Sequence, residues 1–280
     1  MKHYLKLMNF ELNRFFKIYL VLIGLTIISQ ITGTIIESKA YVSLANEAIH
    51  KNLVPLEQFF EDNQPMSLVR LLTSGWFLIP IVLAAAALLF YSFFIWYRDW
   101  FGKNTFIYRL LMLPSARLNL FFSKLSAIFL MVLGLVGTQL ILLPIEQQLI
   151  KWLVPKEFRI DLSIRDSLTA SSASSFFTLL LPDSFIQFLV NYGIGLLFLV
   201  VLFTIILFER SFHFKGIFLG GLFGIAAMVL FFSPYLIESA LNYYYLYPIE
   251  LFILEVILGI AIIGASIWVS SYLLNKKVTV

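Results

Sequence analysis

Catalysis by side chains needs nucleophiles, bases or metal ligands held a few ångströms apart, and this 280-residue chain offers little with which to build such a site. It has no cysteine, and its three histidines, His3, His50 and His213, are too scattered to form a metal cluster by local spacing. Disulfides, thiolate metal sites and cysteine nucleophiles are excluded together. There is no H-E-x-x-H zinc-protease helix, no G-x-S-x-G nucleophile elbow and no G-x-x-x-x-G-K-[ST] phosphate loop. No catalytic, cofactor-binding or metal-ligating residue is assigned, and the chain is expected not to be an enzyme. Ion coupling across a membrane would need carboxylates or basic groups inside apolar segments. The centres of the long apolar runs lack them. Glu146, Glu250 and Glu255 stand near run ends, where a snorkelling or structural role is expected.

The residues most suited to recognition lie between Tyr97 and Lys124. Phe106, Arg109, Leu110 and Leu113 recur at helical spacing, and Pro114-Ser115 ends that helix. Arg98, Lys103, Arg109, Arg117 and Lys124 add positive charge, and aromatic residues are interspersed. Such a helix offers a protein partner hydrophobic anchors and electrostatic orientation, or it rests on lipid phosphates. Basic residues alone do not separate the two. A second pattern is Gly216, Gly220 and Gly224, with Gly221 alongside. Small residues every fourth position let helix backbones approach closely in lipid, within one chain or between subunits.

The elements that position these residues follow from composition. The chain is 60% hydrophobic, 17% aromatic and only 13% charged, against roughly 25% charged in soluble proteins. Its apolar surface must face lipid. A bilayer core about 30 Å thick takes about 20 helical residues, and six runs reach that length, at about 15–36, 76–97, 120–145, 185–208, 216–232 and 249–274. An even number of spans puts both termini on one side. Placing them in the cytoplasm leaves 13 of the 20 Lys and Arg inside with only Glu11, Asp99 and Glu209 of the 16 acidic residues, so the inner face carries +10 and the outer face −6. That split follows the positive-inside rule. It also accounts for the basic character without nucleic acid, for which there is no motif.

Residues 1–14 place Leu5, Met8, Leu12 and Phe15 on one stripe and Lys2, Lys6, Asn9 and Asn13 on another. That pattern predicts an interfacial amphipathic helix, the alternative being a basic flank of the first span. The outer segments, about 37–74 and 147–184, carry most of the acidic residues. The first suggests short helices against the membrane surface. The second, with its Ser-rich TASSASS, is longer than a simple connection. The expected fold is therefore an all-α membrane protein, one transmembrane domain over 1–280, with six transmembrane helices, an N-terminal interfacial helix and a cytoplasmic coupling helix between spans 2 and 3.

An interfacial N-terminal helix, six spans, and an inner loop reading Phe101-Gly102-Lys103, then a helix ending at Leu113-Pro114, then Ser115, Arg117 and Lys124, resembles the permease subunit of type-2 ATP-binding-cassette (ABC) transporters. The topology covers the whole chain, while the residue-level likeness is confined to about 98–124. The family's acidic residue and Gly-Thr are spread here over Asp99, Gly102 and Thr105. The resemblance implies a separate ATP-binding subunit as partner, ATP bound there and no cofactor here. It also implies a second identical or paralogous permease, and export of an amphipathic peptide, drug or lipid-like substrate across a bacterial plasma membrane. Trp100, Phe106 and Leu110 would anchor the coupling helix in the ATPase, and Arg98, Asp99, Arg109 and Arg117 would orient it. The competing reading is a non-transporting immunity or sensor protein that binds its partner through the same loop.

Overall fold

A computed structural model describes residues 2–100, 106–112, 116–171, 174–241 and 247–278. Among these the chain is helical throughout, with no strand beyond one isolated bridge. In chain order the α-helices are α1 (Lys2–Asn46), α2 (Leu56–Asp62), α3 (Leu68–Leu72), α4 (Gly75–Trp100), α5 (Phe106–Leu111), α6 (Leu118–Leu153), α7 (Ile164–Ala170), α8 (Ser174–Leu180), α9 (Phe185–Phe212), α10 (Phe214–Leu241) and α11 (Pro248–Tyr272). Six of them, α1, α4, α6, α9, α10 and α11, are long and apolar enough to cross a membrane. This all-α architecture fits a multi-pass membrane protein. Helices are what lipid demands, since only they satisfy every backbone N–H and C=O within one apolar segment.

α1 runs from Lys2 through the first span without a break at Arg14, where the sequence suggested a boundary. Of the Leu5, Met8, Leu12 and Phe15 stripe, Met8 and Leu12 are half-buried and Phe15 is buried. Leu5 is exposed, and the most deeply buried side chain there is an acid, Glu11. The chain divides into two compact units. One comprises residues 1–14, 89–130 and 184–280, the other residues 15–88 and 131–183.

In the first unit α9 packs against α10 and α11. Trp96 of α4, Phe121 of α6 and Phe203 of α9 meet edge to face or tilted, with ring centroids 5.6–6.4 Å apart. Thr204 Oγ1 lies 2.9 Å from Ser270 Oγ and binds α9 to α11 without a charge. The glycines of α10 face α9. A Cβ on Gly220 would stand 3.0 Å from the Ile205 carbonyl oxygen, one on Gly224 2.8 Å from Ile205 Cδ1, and one on Gly216 would overlap the Phe208 carbonyl. Gly221 has open space around it.

In the second unit, segments 37–74 and 147–184 fold on each other. At 1.5 Å per residue the 45 residues of α1 reach about 68 Å, roughly twice a bilayer core. The far ends of α1 and α6 share one hydrophobic core with the short helices. Its buried members include Tyr41, Phe59, Met66, Leu71, Leu72, Phe158 and Phe177. Met66 N–H donates to the Phe158 carbonyl and Ile160 N–H to the Met66 carbonyl, both at 3.0 Å, stitching the two segments together. Arg159 Nη1 donates to the Lys151 and Val154 carbonyls at 2.6 Å and so closes the C-terminal end of α6. Of the Ser-rich stretch, Ser172 and Ala173 lie outside the described residues.

Candidate functional site

The connection from α4 to α6 is rooted in a buried ionic cluster. Lys124 lies in the second turn of α6 and is completely buried, as is Asp99 at the end of α4; Glu11 of α1 is 1% exposed. Lys124 Nζ donates to Glu11 Oε1 at 2.8 Å, to Asp99 Oδ2 at 2.5 Å and to the Ile95 carbonyl at 2.9 Å. An ammonium has three N–H groups, and each has an acceptor. The other carboxylate oxygens are taken from the rim, Asp99 Oδ1 by Arg14 Nη1 at 2.6 Å and Glu11 Oε2 by Arg98 Nη2 at 2.8 Å. Three cations thus share two carboxylates drawn from α1, α4 and α6. Burying ions is tolerable only when every one is matched in this way.

Beside it, the Tyr97 hydroxyl donates to Glu209 Oε2, and the Arg210 guanidinium lies over the Tyr97 ring at 4.5 Å and the Trp100 ring at 5.7 Å. The three acidic residues that the charge pattern assigns to the cytoplasmic side are therefore all engaged. Trp100, Arg210, His213 and Lys277 line a cavity of about 460 Å³. His213 alone separates α9 from α10, with φ 54° and ψ −127°, a backbone state that L residues rarely adopt.

The site residues read from the sequence fall in different places. Arg98 and Asp99 belong to the ionic cluster, and Trp100, half-buried, stacks with Arg210. Arg109 is exposed and Leu110 half-buried on α5, whose buried residues are instead Ile107 and Leu111. Arg117 stands apart: its Nη1 donates to the Leu274 and Val278 carbonyls at 2.6 and 3.0 Å, tying the start of α6 to the end of the chain. Phe106 opens α5, but its side chain lies outside the described residues, as do Phe101, Gly102, Lys103, Thr105, Leu113, Pro114 and Ser115. Gly216, Gly220 and Gly224 sit on the α9-facing side of α10.

The pairings of Glu11 with Lys124 and Arg98, and of Arg14 with Asp99, escape a reading by local pattern, because the partners are 85 to 113 residues apart. A signal did exist. A lysine inside the apolar run LNLFFSKLSAIFL must find an anion, and only Glu11, Asp99 and Glu209 were available on its side.

No protein-family model matches the chain, and neither a characterised protein nor a solved structure matches it. The site is therefore interpreted from its own chemistry. Among the described residues no group of His, Cys, Asp or Glu could hold a metal ion. The acids and bases of the cluster neutralise one another and leave no free base or nucleophile there. The cluster ties the end of α4 and the start of α6 to α1.

Proposed function

We propose that the chain is the membrane-spanning permease subunit of an ABC exporter, with both termini in the cytoplasm. It forms the translocation path and receives force from a separate ATP-binding subunit. The observation that carries this reading is α5. It is a six-residue helix with Ile107 and Leu111 buried and Arg109 and Met112 exposed, held between two long apolar helices whose ends are locked by the Glu11–Asp99–Lys124 cluster. A helix pushed by a partner transmits motion only if its roots are stiff, and matched buried charges are stiff because any relative shift strands an ion. In this arrangement Arg109, Leu110 and the α5 surface touch the ATPase, whereas Arg98 and Asp99 act behind the surface as positioning residues. The first turns of α1, expected to lie at the membrane interface, brace α5 from that side through Glu11 and Arg14.

The spans carry few charges and many aromatic residues, which suits an amphipathic peptide, drug or lipid-like substrate. A second identical or paralogous permease completes the path. The decisive experiment is purification from native membranes with a stoichiometric ATPase whose turnover vanadate inhibits. In that complex Arg109→Glu should lower transport at least tenfold while the permease remains folded. Consistent failure to recover an ATPase would favour the immunity or sensor reading.

A further inference from the structure

One buried titratable group has no part in that machinery. Glu146 of α6 is fully buried, and neither carboxyl oxygen has a hydrogen-bond partner. It does not snorkel, the behaviour its place near the end of an apolar run suggested. Its neighbours on the same helix face, Leu143 three residues before and Ile150 four residues after, both belong to the hydrophobic core that includes Tyr41, Phe77, Ile81 and Phe177.

α1 and α6 run side by side in the same direction here. Tyr19 donates to the Met131 carbonyl at 3.1 Å, and farther along Gln30 Nε2 donates to Gln139 Oε1 at 3.2 Å. Two turns beyond that pair, Ser38 and Glu146 come to matching heights. Ser38 is also fully buried, with an unpartnered hydroxyl. Glu146, seven residues after Gln139, lies on the same face of α6 that meets Gln30 of α1, but unlike Gln139 it has no partner.

We propose that Glu146 is a proton-binding site: its carboxyl holds a proton while α1 and α6 are packed together, and releases it to water when the seam parts. A bare carboxylate without a donor in an apolar core is the arrangement proteins avoid most strongly, and taking up a proton removes the charge. A metal cation would need several oxygen ligands around it, and among the described residues no group of His, Cys, Asp or Glu could hold one. Titratable and charged groups on this stretch of the packed elements include Glu37, Lys39 and Tyr41 of α1, Arg70 of α3 and Lys151 of α6. The Arg70 guanidinium lies over the Tyr41 ring at 5.3 Å, and none of these is paired with Glu146. α4 and α8 contribute Phe77, Ile81 and Phe177 to the hydrophobic core there. Such a site links proton occupancy to whether α1 and α6 are closed or separated, independently of any ATPase.

The test uses the full-length chain alone in lipid nanodiscs, so its failure leaves the permease reading untouched. Melting temperature is followed from mildly acidic to mildly alkaline pH for wild type and Glu146→Gln, in sodium chloride and in choline chloride. A proton held only in the folded form makes wild type lose several degrees relative to the Gln variant as pH rises, equally in both salts. Parallel pH profiles for the two proteins overturn the proposal, and so does restoration of wild-type stability by sodium, which would mean a metal site. Should Glu146→Gln not accumulate, dicyclohexylcarbodiimide, which attacks protonated carboxyls in apolar surroundings, decides on wild type by mass spectrometry. Modification of Glu146 severalfold faster in acidic buffer supports the proposal; no modification, or modification independent of pH, overturns it.

Discussion

At the scale of single residues the most consequential side chain is Lys124, a cation that holds two carboxylates and a backbone carbonyl at once. Lys124→Met would leave Glu11 and Asp99 facing each other across a gap, with only the half-exposed Arg98 and Arg14 as counterions. Breaking a buried pair from one side costs about 3–5 kcal/mol, and unfolding in detergent micelles should report a loss of that order. Lys124→Met combined with Asp99→Leu removes a matched pair and puts hydrocarbon in its place. This double variant should recover much of the loss; equal or greater destabilisation would mean that the cluster does not act as a unit.

Among the elements, α10 illustrates how spacing becomes packing. Gly220 and Gly224 meet Ile205 at distances where a Cβ would stand 3.0 and 2.8 Å away, whereas Gly221 looks into open space. Gly220→Leu and Gly224→Leu should each destabilise the α9–α10 pair by about 1–3 kcal/mol through overpacking. Gly221→Leu should stay within about 0.5 kcal/mol of the parent, and thermal melts of the three variants read the contrast directly. The period of four was visible in the sequence, and it named the glycine stripe. It could not say which helix the stripe would meet. α5 shows the opposite case. Among its described side chains Ile107 and Leu111 are buried and Leu110 is half-buried, because which side of a six-residue helix turns inward depends on where its two long neighbours stand.

For the molecule as a whole, the charge asymmetry makes a prediction about sidedness, and a chain without cysteine lends itself to testing it. Leu53→Cys and Met112→Cys both fall at exposed positions, 82% and 69%. A membrane-impermeant maleimide added to intact cells should label Leu53→Cys and spare Met112→Cys until the membrane is opened; the reverse pattern would invert the topology. The spans were legible because lipid imposes one rule on every residue of a crossing helix, so apolar length alone reveals them. The outer segments were not legible as a folded core. Their partners, such as Met66 with Phe158 and Ile160, are about ninety residues apart and leave no periodic trace. The same holds for the buried ionic cluster. Composition and spacing determined that this is a helical chain with six stretches long and apolar enough to cross a membrane and without a local catalytic motif. Only tertiary structure decided that Glu11 and Asp99 are matched by Lys124, Arg14 and Arg98 while Glu146 is left alone, because the fate of a buried charge depends on which helices the fold brings beside it.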